Sequence, residues 1–143
     1  MQKANAQSLR VGRYSQPNQI YHLTLTCANR RPVFSDPYLA KHAVHSIKRL
    51  TPEATTIAFV IMPDHIHWLM QLNDRKKLSD TVRLLKVFIT HKAGTIWQKG
   101  FYDHALRKEE DIKNIARYII LNPARAGIVK TIREYPWWDC IYL

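Results

Sequence analysis

Cysteine, glycine and acidic residues are all scarce in this chain of 143 residues. The two cysteines, Cys27 and Cys140, are far apart and form no C-x-x-C pair, so neither a disulfide framework nor a cysteine-based zinc site is indicated. No apolar run approaches the length of a membrane span, and residues 1–10 lack the apolar core of a secretory signal. We therefore expect a cytoplasmic protein that has no membrane partner.

The scarcity of acids leaves a strongly basic chain. The sequence has 22 Lys and Arg residues against 11 Asp and Glu, a net charge of +11 and a pI near 9.9. The excess is uneven, because residues 73–108 carry nine basic and three acidic side chains. A positive field raises the local concentration of polyanions, so the charge indicates a nucleic-acid partner. It does not distinguish a simple binder from an enzyme acting on nucleic acid.

Strands and helices alternate along one unit of the chain. Residues 1–19 are polar, with three basic side chains and no acid, and predict a flexible basic N-terminal arm before a single domain at 20–143. The patterns predict strands over 20–27, 55–62, 65–72 and 97–107, and helices that begin near residues 36, 79 and 109. This order predicts an α+β fold of the ferredoxin-like split βαβ type. We expect an antiparallel sheet of four to five strands with helices packed on one face.

Two histidines on the third predicted strand are the first candidate site. His65 and His67 are two residues apart and therefore point to the same face of a strand, whereas Ile66 points to the opposite face, toward the helices. Each histidine alone has an ordinary interpretation as a half-buried strand residue. Together, two imidazoles on a rigid strand supply half of a metal site and need further ligands.

A tyrosine and an asparagine on the last predicted helix are the second candidate site. Tyr118 and Asn122 are four residues apart and so share one helix face. Each alone is typical of a structural role, the tyrosine in packing and the asparagine before Pro123 as a helix end. Together they offer a phenolic nucleophile and a neutral oxygen ligand. If the helix packs beside the histidine strand, the metal site gains a third protein ligand.

These motifs resemble those of the HUH superfamily of single-tyrosine nucleases. The resemblance narrows to the REP-associated tyrosine transposases and covers about residues 20–130. It is carried by His65-Ile66-His67 after a hairpin turn and by Tyr118-x-x-x-Asn122, within Tyr-Ile-Ile-Leu-Asn-Pro-Ala-Arg-Ala-Gly-Ile-Val at 118–129. Further matches are Trp97-Gln98 and Tyr102-Asp103-His104-x-Leu106-Arg107.

The resemblance implies a sequence-specific single-stranded DNA endonuclease and strand transferase. Such a transposase would cleave and rejoin DNA at or near hairpins of repetitive extragenic palindromes, through a 5′-phosphotyrosine on Tyr118. It implies that His65, His67 and Asn122 bind Mg²⁺ or Mn²⁺. We expect a monomer, with a homodimer as the alternative.

The basic side chains and one aromatic residue are candidates for DNA contacts. Phosphates are the expected partners of the cations, and an unpaired base is the expected partner of Tyr102. The candidates are Arg10, Arg13, Arg83, Lys86, Lys92, Tyr102, Arg107 and Arg125. A solvated helix surface is the alternative for the cations near residues 83–92. Two other functions also stay open: a non-catalytic basic nucleic-acid-binding protein on a ferredoxin-like fold, and a small zinc hydrolase using the two histidines.

Overall fold

Five antiparallel strands and four helices make up the part of the chain that the structure describes. The computed structural model describes residues 18–143, so most of the predicted N-terminal arm, with Arg10 and Arg13, lies outside it. In chain order the elements are β1 (Ile20–Thr26), α1 (Pro37–Lys48), β2 (Ala54–Met62), β3 (His65–Leu72), α2 (Leu78–Ala93), β4 (Tyr102–Leu106), α3 (Glu109–Ile120), α4 (Asn122–Arg125) and β5 (Trp138–Cys140).

The strands are ordered β4-β1-β3-β2-β5, and all neighbours are antiparallel. The first four strands have the predicted ferredoxin-like arrangement, and β5 adds a short edge beside β2. The strands β2 and β3 form a hairpin whose turn is Pro63-Asp64, with Met62 paired to His65. The hairpin fixes the register of β3, because a slip of one residue would move its histidines to the opposite face.

The two faces of the sheet are covered by different helices. One face is covered by α1 and α2, and buries Ile66, Trp68 and Met70 of β3 as predicted. The other face is covered in part by α3, which packs on Val60 and Leu69. The α+β class and the antiparallel sheet are confirmed. The helix layer expected on one face consists of α1 and α2 alone. The apolar stripe of α3 packs instead on the face that carries the histidines.

Two element boundaries differ from the sequence prediction. The strand predicted over residues 97–107 is shorter, because Gly100 takes a left-handed φ of 79° and separates Trp97, bridged singly to Cys27, from β4. The last helix ends at Ile120, and Asn122 begins the separate short helix α4. Pro123 explains this break, since it has no N–H for the helical hydrogen bond and disfavours helical geometry before it. Among residues 18–143, no helix combines the length and apolar character needed to cross a bilayer.

Candidate active site

The two histidines of β3 lie at the centre of the sheet, on the face that α3 only partly covers. Their direct cross-strand partners on β1 are threonines: Thr24 pairs with His67 and Thr26 pairs with His65. The imidazole rings of the two histidines are perpendicular, with centroids 4.9 Å apart. The alternation of β3 thus presents both rings side by side, as the i, i+2 spacing predicts.

His65 is oriented by the turn that precedes it. Its Nδ1 lies 2.6 Å from Oδ1 of Asp64, whose other carboxylate oxygen lies 2.8 Å from Nε of Arg30. Burial alone would raise the pKa of Asp64, but the hydrogen bond and charge of His65 and the charge of Arg30 hold that pKa below its usual value. The carboxylate therefore stays ionised and accepts the Nδ1 hydrogen, which leaves the lone pair of His65 on Nε2.

His67 is oriented from β1. Its Nδ1 lies 3.0 Å from Nε2 of His22 and 3.2 Å from the hydroxyl oxygen of Thr24. When Nδ1 of His67 carries the hydrogen and donates it to these atoms, Nε2 is free with a lone pair. Both histidines thus use Nδ1 within the protein and keep Nε2 available, which is the usual preparation of a metal-binding imidazole.

Burial favours the neutral rings of His67 and His22. Burial, followed by the charges of His22, His65 and Arg125, lowers the pKa of His67 to about 3. Burial, followed by the charge of His104, lowers the pKa of His22 to about 4. A metal ion binds only the neutral imidazole, so the lowered pKa of His67 prepares this ring for a cation.

Tyr118 approaches the histidines from α3. The buried stripe of this helix, which includes Ile112, Ala116 and Ile119, packs against the sheet. Tyr118 lies next to that stripe, is 48% exposed, and its ring centroid is 6.5 Å from that of His67. The tyrosine therefore stands beside the histidine pair with its side chain accessible to a substrate.

Arg125 links Tyr118 to Asn122. Its guanidinium carbon lies 3.8 Å from the centroid of the Tyr118 ring, and Nη2 donates to the backbone oxygen of Tyr118 at 3.1 Å. The same Nη2 donates to Oδ1 of Asn122 at 2.9 Å, whereas Nδ2 of Asn122 is buried without a hydrogen-bond partner. Arg125 therefore links Asn122 to Tyr118, although these two residues lie on separate helices, α4 and α3.

The donor set fits a metal site that protein side chains fill only in part. Within residues 18–143, no group of three or more His, Cys, Asp or Glu side chains is placed to hold a metal ion. The pair of free Nε2 atoms on His65 and His67 supplies two nitrogen donors. The amide of Asn122 is the third candidate predicted from the sequence; its Oδ1 accepts from Arg125, and its buried Nδ2 has no hydrogen-bond partner. Such a set leaves coordination positions for water or phosphate oxygens.

The remaining candidates for DNA contacts fall into two groups. Tyr102 is 50% exposed on β4 and faces the histidine side, where its ring contacts that of His22. Arg107, just after β4, is exposed. The structure does not bring three predicted cations of α2 to this face: Arg83 pairs with Asp80, Lys86 donates to Gln98 and Gly100, and Lys92 donates to Tyr38.

Sequence reasoning missed the residues that orient the histidines. His22 and Thr24 alternate on β1 with buried Tyr21, Leu23 and Leu25, so their common face was readable from the strand pattern. The sequence alone could not predict their contact with His67, because that contact depends on the pairing and register of β1 with β3.

Comparison with known proteins agrees with this geometry. The family described as Transposase IS200 like matches residues 15–122. The REP-associated tyrosine transposase of Escherichia coli K12 is 31% identical over 131 residues, covering 87% of this chain and 78% of that protein. The solved structure of a REP-associated tyrosine transposase bound to a REP hairpin superposes with a TM-score of 0.76 at 28% identity, covering 96% of this chain and 82% of the other. This chain belongs to the IS200-like transposase family and, within it, to the REP-associated tyrosine transposases, as its motifs predict.

Proposed function

We propose that this transposase cleaves and rejoins single-stranded DNA at hairpins of repetitive extragenic palindromes, with Tyr118 as its nucleophile. The observation that carries the proposal is the 6.5 Å separation between the rings of Tyr118 and His67 on the open part of one sheet face. Rings at this distance and at an angle of 78° are in edge-to-face contact, so a phosphate held at the imidazole nitrogens would lie beside the phenol. Membership of the family supports DNA as the substrate.

The reaction is an exchange of phosphodiester linkages. The phenolic oxygen of Tyr118 attacks the scissile phosphorus, the bond to the 3′ oxygen breaks, and a 5′-phosphotyrosine forms. The phenol loses its proton and the departing 3′ oxygen gains one, so the products are a covalent protein–DNA adduct and a free 3′-hydroxyl. The adduct retains an ester linkage, so a second 3′-hydroxyl attacks its phosphorus and loses its proton, the bond to the Tyr118 oxygen breaks, and the phenol regains a proton. DNA is thus rejoined without a nucleotide cofactor.

His65, His67 and Asn122 are the residues that would hold a divalent metal ion, Mg²⁺ or Mn²⁺. When bound, the ion neutralises charge on the phosphate and holds that phosphate in line for attack. Nitrogen donors suit Mn²⁺ at least as well as Mg²⁺, which prefers oxygen. In the free protein Nη2 of Arg125 donates to Oδ1 of Asn122, so this oxygen would be available to a metal ion only if the amide turned or Arg125 withdrew.

Arg125 is the protein's own cation at the site. Its guanidinium stacks on the Tyr118 ring and its charge acts on His67. A phosphate between these residues would lie beside a group able to donate two parallel hydrogen bonds to its oxygens. The proposed role of Arg125 is therefore to position the nucleophile and the phosphate together.

The substrate and setting follow from the relatives and from the chain itself. The solved relative is bound to a REP hairpin, which supports a hairpin with single-stranded flanks as the substrate here. One chain supplies both His67 and Tyr118, with ring centroids 6.5 Å apart, which supports action as a monomer. The bacterial relative supports the bacterial cytoplasm as the setting. A homodimer is the alternative that a sedimentation measurement would reveal.

The proposal predicts a tyrosine-linked DNA adduct. Purified protein is incubated with end-labelled single-stranded DNA that carries a REP hairpin, in the presence of Mn²⁺, and then denatured. We expect a labelled band at the mass of protein plus DNA, and no such band in Tyr118→Phe, because phenylalanine has no oxygen to attack phosphorus. The Tyr142→Phe variant, changed at an exposed tyrosine near the C-terminus, serves as the matched control and keeps the adduct.

Three outcomes would contradict the proposal. Equal adduct in wild type and Tyr118→Phe would remove Tyr118 as the nucleophile. Tight hairpin binding with no cleavage in any divalent metal would leave a non-catalytic nucleic-acid-binding protein. Cleavage that persists in Tyr118→Phe and forms no adduct would instead indicate a metal-activated water, as in a hydrolase.

A further inference from the structure

A cavity of about 450 Å³ opens on the histidine face of the sheet, beside the candidate active site. Its floor includes Thr24 and Thr26, the direct cross-strand partners of His67 and His65. Its wall is the segment 98–102, which leads into β4. The cavity therefore begins one strand away from the histidines, and neighbouring strands are about 4.8 Å apart.

The wall of this cavity presents an accessible aromatic ring. Tyr102 is 50% exposed, and its ring meets that of His22 in an edge-to-face arrangement with centroids 6.1 Å apart. Because His22 also contacts His67, the tyrosine ring is connected to the candidate metal ligand through one side chain. Phe101, half-exposed, adds apolar surface next to the tyrosine.

The polar groups of the cavity suit a neutral base attached to an anionic backbone. The amide of Gln98 and the hydroxyl of Thr26 are donors and acceptors at its edge. Lys99 is the one charged side chain in the lining, and none of the lining residues is acidic. The cavity thus combines a stacking surface, hydrogen-bonding groups and a single cation.

The wall is held in place from the other side of the sheet by Lys86. The ammonium group of this α2 residue donates to the backbone oxygens of Gln98 at 3.3 Å and Gly100 at 2.7 Å. The backbone N–H of Gln98 donates to Thr26 at 2.9 Å, and Gly100 takes a left-handed φ of 79° that favours glycine. Burial lowers the pKa of Lys86. These contacts hold segment 98–102 in place. Lys86, which the sequence analysis assigned to a DNA phosphate, therefore contacts the backbone of this segment instead.

We infer that this cavity binds one unpaired nucleobase of the DNA strand whose phosphate lies at the histidines. The base stacks on Tyr102, its edge meets Gln98 and Thr26, and the adjoining phosphate meets Lys99. Every base has a flat aromatic face, and stacking on an aromatic side chain is a general means of binding single strands. The identity of the strand rests on the proposed function, whereas the binding of a base does not require cleavage.

The test measures binding without catalysis. A REP hairpin oligonucleotide with single-stranded flanks is titrated in EDTA, with an abasic residue placed at each flank position in turn. For wild type we expect one position at which loss of the base weakens binding about tenfold, as for loss of one aromatic stack. In Tyr102→Ala the intact oligonucleotide is expected to bind about tenfold more weakly, with no further loss at that position. Tyr102→Phe, which keeps the ring, is expected to retain the abasic effect.

Tyr38→Ala is the matched control, because Tyr38 is an equally exposed tyrosine on α1, on the opposite side of the sheet. It should bind like wild type and keep the abasic effect. The inference is overturned if wild type has no sensitive position, or if the sensitivity persists unchanged in Tyr102→Ala. If the abasic effect is absent but the Tyr118 adduct forms normally, the base-binding inference is wrong and the proposed chemistry is retained. If the abasic effect is present but no adduct forms, the base-binding inference is retained and the proposed chemistry is wrong.

Discussion

His22 on β1 lies within hydrogen-bond distance of the candidate metal ligand His67. Its Nε2 lies 3.0 Å from Nδ1 of His67, and its own side chain is 8% exposed. A hydrogen bond of this kind fixes the ring orientation of a metal-binding histidine and increases the electron density on its free nitrogen. Thr24 provides a second acceptor for the same hydrogen, so His67 keeps one partner when the other is lost.

Replacing His22 should therefore weaken metal binding before it affects folding. We expect His22→Ala to lower the affinity for Mn²⁺ by about tenfold, at the lower end of the usual range because Thr24 remains. Isothermal titration with Mn²⁺ in the absence of DNA measures this directly. His22→Gln, whose side-chain oxygen can accept the same hydrogen, should recover part of the affinity. His45→Ala is the control, since His45 is exposed on α1, on the opposite side of the sheet; an equal loss there would show a general effect of removing a histidine.

At the scale of elements, the sequence predicted what depends on local pattern. Alternation placed β3 at its observed bounds and put both histidines on one face, and the Tyr118 and Asn122 spacing pointed to a second group on a helix. The side of the sheet on which that helix packs depends on tertiary contacts. The sequence therefore could not show that α3 would cover Val60 and Leu69 and bring Tyr118 to His67.

The break after α3 shows a different limit. The Asn122-Pro123 pair predicts the end of a helix, and α3 ends two residues earlier, at Ile120. The consequence was not predictable: Arg125 on the following turn contacts Tyr118 and Asn122 and joins the two short helices. That contact needs the backbone path through Leu121, whose φ and ψ of −83° and −5° keep the chain near helical geometry without continuing the helix.

The dependence of Tyr118 on the packing of α3 gives an element-scale prediction. Ile119, adjacent to Tyr118, is fully buried against the sheet, and Ile119→Ala should cost about 2–4 kcal/mol in the free energy of unfolding by leaving a cavity. Leu85→Ala, in the core beneath α2, should cost a similar amount. Urea titrations measure both losses. At a temperature where both variants are folded, adduct formation should fall in Ile119→Ala and stay near wild type in Leu85→Ala. Equal adduct formation in the two variants would show that the position of Tyr118 does not depend on the packing of α3.

At the scale of the whole molecule, the charge of the described helices is divided between the two faces of the sheet. On one face α1 carries two lysines and no acid, and α2 carries three basic residues and one acid. On the histidine face α3 carries three acids, all in its first turn, and two basic residues, and α4 adds Arg125. Of the helices, those opposite the candidate active site therefore carry the larger net positive charge. A field of this kind acts over roughly the Debye length of about 8 Å at physiological salt, and affects encounter with DNA more than chemistry.

Charge reversal on α2 should therefore separate association from cleavage. Arg83→Glu combined with Lys92→Glu is expected to slow hairpin association severalfold at low salt, with the difference from wild type shrinking as salt screens the field. Both positions are on the face opposite the histidines, so the cleavage rate of preformed complexes, started by adding Mn²⁺, should stay unchanged. Stopped-flow fluorescence measures the first quantity and single-turnover adduct formation the second. The matched control is Arg125→Glu, at the site itself, which should reduce cleavage of bound DNA at every salt concentration. A cleavage defect in the α2 variant would instead mean that bound DNA reaches around the sheet to this helix.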